Sequence, residues 1–249
     1  MKLLVINPNT TEAITEKIAR AARSALPGVD IVAATGRFGA SYIASRASYA
    51  IASHAALDCL AEHGAGCNAV LLACFGDPGL DAIREVTPVP VISLIDASCA
   101  EAGMDGRKFS IVTGGERWGT MLQEMIQLRG LDGQLASIRT VAPSGSAIAA
   151  DPESAYALLV ETCLRCINED GAQAVILGGA GLLGIAKKIQ AHVSEPLICS
   201  NEAGFRAAYR ALAISGRQTG IEGCDPVNST ALSPSLTTVL RNGFLRNAL

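Results

Sequence analysis

Aromatic side chains are scarce in this sequence, at 4% of 249 residues. So few rings leave little to stack against single-stranded bases. Positive charge is also in short supply. Lys and Arg number 20 against 23 Asp and Glu, for a formal net charge of −3. No basic surplus is left to neutralise a phosphate backbone, so nucleic acid is not an expected partner. No run of 18 apolar residues occurs, which argues against a membrane span and a membrane partner. The opening MKLLVI is too short for a secretory signal and meets the turn residues Asn7, Pro8 and Asn9 at once. Eight cysteines form no tight framework, so reduced thiols in a cytoplasmic protein are expected rather than disulfides. HExxH spacing and a GxSxG elbow are both missing.

What is present is apolar sequence in short, regularly spaced runs. Hydrophobic residues make 49% of the chain and charged ones 17%, enough for a sizeable core. The pattern alternates strand and helix. Strands are expected at 3–7, 29–34, 68–74 and 90–95, with helices at about 9–26, 47–63 and 78–85. Asn9 and Glu12 read as a capping box for the first helix. Asp77 and Pro78 read as N-cap and first residue of the third. The pattern restarts with strand and turn at 109–115, a strand at 136–141, strand and loop at 174–181 and a strand at 196–200. Helices are expected at 116–129, 153–169, 182–193 and 202–213, followed by a polar tail.

The halves match one another. Gly64 pairs with Gly171, Cys59 with Cys166, AVLLACFG (69–76) with AVILGGAG (174–181), and PVIS (90–93) with PLIC (196–199). The near-constant offset points to an internal duplication too long for a solenoid. The expected fold is therefore α/β. It has two pseudo-symmetric domains of duplicated βα units, each with a small, mainly parallel sheet. The first takes residues 1–97 plus 201–249, the second 98–200. Ligands of such sheets bind at the carboxyl ends of the strands. Two facing domains would place those ends around one cleft, where the duplicate positions Cys74 and Gly179 would meet.

Cys74 is the leading candidate for chemistry. It follows a buried strand and precedes an expected helix N-terminus, a position that lowers a thiol pKa. Gly76 and Gly79 allow backbone to approach a ligand closely. A buried, inert cysteine ending a strand is the other reading, and position leaves both open.

Two runs, INPNTT (6–11) and ACFGDPGLDAIRE (73–85), together with SYIAS (41–45), give the chain a resemblance to a known family. It resembles the aspartate/glutamate/hydantoin racemase superfamily, in particular hydantoin and allantoin racemases, over roughly residues 3–213. The resemblance implies an isomerase, a racemase of amino acids and their derivatives. Such an enzyme uses no cofactor and no metal, and acts on a small-molecule carbon acid as a homo-oligomer. Members use two cysteines, one on each face of the carbon acid. Cys74 matches the first. The second falls in ILGGAG (176–181), where hydantoin racemases read like LGCAG, and this chain has Gly179 instead. The segment LICSNEAGF (197–205) is more similar to arylmalonate decarboxylase and maleate isomerase.

Three routes stay open for a chain with one matching thiol. Cys199 serves as the second acid; a water or substrate group does so; or the reaction needs only one face. One-face chemistry covers decarboxylation, cis–trans isomerisation of a dicarboxylate and covalent addition to Cys74. A non-catalytic small-molecule-binding protein is the alternative from another class. Position and resemblance together give the expected substrate contacts. In the first half these are Asn9, Thr10, Tyr42, Phe75 and Gly76. In the second they are Thr113, Gly114, Gly179, Ala180, Gly181, Ser200 and Asn201. Helix capping accounts equally for Asn9, Ser200 and Asn201.

Other patterns are set aside. Gly179 to Gly184 spells GxGxxG, but too little chain follows for a dinucleotide fold. Cys163 and Cys166 lie on the apolar stripe of a helix and read as core. His54, His63 and His192 read as surface or capping residues, and Arg37, Arg46, Glu116 and Arg117 as solvated charge.

Overall fold

The computed structural model describes residues 1–142, 144–214 and 229–242. In chain order the first half contains β1 (Lys2–Asn7), α1 (Glu12–Ala25), β2 (Asp30–Thr35), α2 (Arg46–His63), β3 (Ala69–Leu72), α3 (Leu80–Val86) and β4 (Val91–Ser93). Next come α4 (Leu94–Ala102), β5 (Phe109–Gly114), α5 (Trp118–Leu128), β6 (Leu135–Val141), α6 (Gly145–Ala150) and α7 (Pro152–Asn168). The remainder is β7 (Ala174–Gly178), α8 (Ala186–Ile189), β8 (Leu197–Cys199), α9 (Ser200–Ile214) and α10 (Pro234–Asn242).

The strands form two four-stranded sheets, ordered β2-β1-β3-β4 and β6-β5-β7-β8, and every pairing is parallel. The same topology thus occurs twice in one α/β chain. Parallel strands cannot be joined by hairpins, so each crossover carries a helix or long loop back to the start of the sheet. Helices then cover both faces, which is why β1 and β3 read as continuous apolar runs. Leu3 to Ile6 and Ala69 to Leu72 are fully buried. Each Leu or Ile taken out of water contributes roughly 1.5–3 kcal/mol.

The chain divides into two compact units. The first holds Met1–Ile43, Ala47–Ser93 and the chain from Phe205 onward; the second holds Ala44–Arg46 and Leu94–Gly204. The boundaries fall at 93/94 and 204/205, against 97/98 and 200/201 read from the sequence. One apolar core packs β1, β3, α2 and α3 with Val239 of α10. The other packs β5 and β7 with α7, α8 and Cys199.

Several elements differ from the sequence reading. Asn9 is not the N-cap of α1, which begins at Glu12 with Thr11 in the cap position. The Asn9 carboxamide instead accepts from the Thr11 N–H two residues on, closing a turn ahead of the helix. β4 stops at Ser93 and α4 begins at the next residue, because the β-branched run ends where LIDASCAEA begins to favour helix. The helix expected over 182–193 is broken by Gly184, at φ 87°, into the single turn of α8 and flanking 3-10 turns. α10 was not expected. Its sequence signal is Ser233-Pro234: the Ser233 hydroxyl accepts from the Leu236 N–H, and Pro234 opens the helix.

Asp58 of α2 fastens this helix in place. The carboxylate is buried and takes two bonds from Arg37, at 2.9 and 2.6 Å. Burial favours its neutral form, but hydrogen bonds from Ser233 and Arg37 outweigh that and hold its pKa below the usual carboxylate value. One carboxylate thereby ties the loop after β2 to the start of α10.

Candidate active site

Parallel order puts every strand's carboxyl end on one edge of its sheet, and the candidate residues gather on those edges. In the first unit, the loop after β1 and the loop after β2 are stitched together. The Thr10 N–H donates to the Ala40 carbonyl, and the Thr11 hydroxyl to the Ser41 carbonyl. The Gly36 N–H donates to the carbonyls of Asn7 and Asn9. Asn7 is buried at the end of β1, and its amide donates to the side chains of Asn9 and Thr15. Asn9 is therefore committed largely to holding this loop. Tyr42 is half-buried in the same stitched segment.

Cys74 lies two residues beyond β3. It is the only partly exposed cysteine among the described residues; Cys59, Cys67, Cys99, Cys163, Cys166 and Cys199 are buried, and all seven are free thiols. Cys224 lies outside the described residues. The turn from Cys74 closes with the Asp77 N–H donating to the Cys74 carbonyl at 3.0 Å. Asp77 and Pro78 do not start the helix. α3 begins at Leu80, with Gly79 before it at φ 80°. Asp77 itself has φ 50°, rare for a residue with a side chain. Its carbonyl accepts from the Tyr49 hydroxyl at 3.2 Å, and its buried carboxylate accepts from the Ser93 hydroxyl at 2.5 Å. Phe75 is buried behind the turn, and Gly76, at φ 154°, lets the chain reverse.

The expectation of a low thiol pKa is overturned. Burial first, and then the negative charge of Asp77, push Cys74 up to about 12. The helix N-terminus that was to favour thiolate starts six residues later. Both effects favour the neutral thiol of Cys74 over its thiolate. The sign of the Asp77 effect gives a prediction. Asp77→Asn keeps an acceptor for Ser93 and removes the charge that disfavours thiolate. The pH at half-maximal rate of Cys74 alkylation by iodoacetamide should fall, and labelling at pH 8 should speed up severalfold. An unchanged pH profile, read by peptide mass spectrometry, would exclude the electrostatic role.

In the second unit, Gly179 lies at the end of β7 and three side chains clamp its peptides. The Thr113 hydroxyl donates to the Gly178 carbonyl at 2.7 Å. The Gly179 N–H donates to the Ser200 hydroxyl at 3.2 Å, and the Asn201 amide donates to the Gly179 carbonyl at 3.3 Å. Ser200 and Asn201 are not caps, because α9 follows β8 directly and begins at Ser200. Both are fully buried in its first turn. Gly114 ends β5 beside them, and Ala180 and Gly181 form a 3-10 turn with Leu182. That turn is not the helix start a dinucleotide pyrophosphate needs.

Gly179 has φ 129°, a backbone that residues with side chains rarely adopt, yet a Cβ there would meet only the Thr113 hydroxyl at 3.8 Å. Room exists; the backbone is what favours glycine. Cys199 does not substitute for the missing thiol. It is buried in the apolar core, and burial raises its pKa despite the N–H groups of Glu202, Asn201 and Gly184 directed at its sulfur. Cys163 and Cys166 are likewise core.

The sequence profile of Asp/Glu/Hydantoin racemase matches residues 3–208. The chain belongs to this family. It is 34% identical over 210 residues to the hydantoin racemase of Pseudomonas sp. (strain NS671), an alignment covering 84% of each chain. Among solved structures, the allantoin racemase of Pseudomonas fluorescens superposes with a TM-score of 0.83 at 26% identity, covering all of both chains. The allantoin racemase of Klebsiella pneumoniae gives the same TM-score at 29% identity, covering 96% of this chain and 98% of that one. The protein is thus a racemase-type isomerase by family. Among the described residues no helix is long and apolar enough to cross a membrane, and no cluster of His, Cys, Asp and Glu could hold a metal ion.

Asp77, Ser93 and Tyr49 were not read as site residues from the sequence. Asp77 stood in the most family-specific run but was assigned to capping. Ser93 was seen only as the duplicate of Cys199.

Proposed function

We propose that this family member is a cofactor-independent isomerase of a small cyclic ureide or imide, of the 5-substituted hydantoin or allantoin kind, with Cys74 moving the α-proton. The observation that carries the reading is Cys74 itself, the partly exposed thiol at the carboxyl end of β3 in a turn held by Asp77, Ser93 and Tyr49. Relatives that act on hydantoin and allantoin support the substrate class.

Proton removal at such a carbon leaves an enolate, and the charge on its oxygen needs donors. Thr10, after β1 in the same unit as Cys74, is the group proposed to supply one. Phe75, Gly76 and Tyr42 shape the surroundings of Cys74. The resemblance would put a second cysteine at 179, where this chain has glycine, so in this reading return of the proton falls to water or to a group on the substrate. That same glycine favours a second reading, one-face chemistry by a single cysteine.

Proton NMR in D₂O separates the two. The panel is 5-substituted hydantoins, allantoin, aspartate and substituted malonates. Loss of the α-proton signal with racemisation is the expected result for a cyclic ureide. Deuterium incorporated with retained configuration, or loss of CO₂ from malonates alone, would replace it with the one-face reading. No exchange across the panel would favour a binding protein.

A further inference from the structure

Asn201 holds the one buried side-chain nitrogen or oxygen without a hydrogen-bond partner among the described residues, its Oδ1 atom. Such groups are rare in native structures, because an unpaired buried acceptor costs about 1–3 kcal/mol. The assignment of oxygen and nitrogen in this amide is settled by its neighbour. The Gly179 carbonyl can only accept, so the Asn201 nitrogen must face it and the oxygen is left over.

Three facts locate this oxygen. Asn201 sits in the first turn of α9, a helix of 15 residues. It is tied to Gly179, which stands where the family resemblance would put a second cysteine. Its neighbour Ser200 takes the Gly179 N–H, so the amide and the glycine loop move as one piece.

We infer that Asn201 Oδ1 accepts a hydrogen bond from an N–H group of the ligand, and so selects carbon acids that carry nitrogen-borne hydrogen over dicarboxylates. Resting on the reading above for its ligand class, this assigns the substrate as an N–H-bearing ureide or imide. An acceptor-only oxygen repels a carboxylate, so substituted malonates and maleate are disfavoured at the same position. A site built around a ligand N–H rejects the analogue lacking it strongly, since its own acceptor is then left bare.

The experiment compares a 5-substituted hydantoin with its N1-methyl and N3-methyl derivatives. Affinity is measured by calorimetry and turnover by α-proton exchange, for wild type, Asn201→Ala and the space-filling Asn201→Leu, with folding checked by circular dichroism. In wild type, methylation at one nitrogen should weaken binding by at least about tenfold. In the variants the parent should weaken, and the ratio of parent to methyl derivative should collapse to within about twofold. A ratio unchanged by both variants would make Asn201 a purely structural brace and overturn the inference. So would wild type binding all three ligands equally, or none; the wild-type comparison decides this even where a variant does not fold. The two measurements keep the readings apart. N–H preference in binding without exchange retains this inference and removes the isomerase reading. Exchange without N–H preference does the reverse.

Discussion

Cys74→Ala should lower α-proton exchange on the best substrate of the panel by at least about a hundredfold, with little change in folding stability. General acid–base groups contribute about 10²–10⁴-fold each, and no other thiol among the described residues is accessible enough to substitute. Cys199, the nearest in role, is locked in the core with its pKa raised by burial. The fold should tolerate the change, since the substitution removes one sulfur from a side chain already partly open to solvent. Cys74→Ser is the stricter control, because its hydroxyl keeps the shape but is far harder to ionise than a thiol. Circular dichroism and a denaturant midpoint would establish folding, and NMR the exchange rate. Retention of most of the wild-type rate by a folded Cys74→Ala would remove Cys74 from the chemistry altogether.

The second large effect is on stability. Gly79→Ala should cost about 3 kcal/mol, seen as a lower urea midpoint, and should displace the turn that carries Cys74. Two independent penalties meet at this residue. Its φ of 80° lies in the left-handed region, which costs a side-chain-bearing residue about 1–2 kcal/mol. A Cβ there would also lie 2.9 Å from the Ser53 carbonyl oxygen and 3.1 Å from the Ser53 Cα. These are backbone atoms within α2 and cannot swing aside as a flexible side chain would. Gly179→Ala serves as the comparison, since it shares the positive φ but has an open neighbourhood. It should cost less. Equal costs for the two would show that the contact with α2 is relieved by small shifts.

The architecture was largely legible because a strand order used twice and parallel pairing both leave marks in sequence. Buried strands such as AVLL and AVIL are continuous apolar runs, and their repetition exposed the two-unit plan. The elements missed carry weaker marks. α4 follows β4 without a turn residue, so periodicity had nothing to break on. α10 lies after a long polar stretch, and only the Ser233-Pro234 pair announced it. At the site, the sequence pointed to Cys74 and to the glycine at 179, since both stand in distinctive runs. It misjudged the thiol's ionisation. That depends on where a helix begins and on a carboxylate three residues away, and both turned on the left-handed backbone of Asp77 and Gly79. The acceptor on Asn201 was beyond reach, because an unpaired atom is a property of the packed state alone.

Apart from Ala44–Arg46, the second unit is an insertion within the first, running from Leu94 to Gly204. This orders events on the ribosome. The four strands of the second sheet emerge as one continuous stretch, and most of that core can close as soon as β8 has left the exit tunnel. The first sheet is synthesised earlier yet finishes later, since Val239 of α10 belongs to its core. Until α10 (Pro234–Asn242) has emerged, that sheet lacks the helix whose start Asp58 ties to α2. Nascent-chain length is therefore the clock for assembly of the Cys74 unit, and the unit made second is the first able to complete its core.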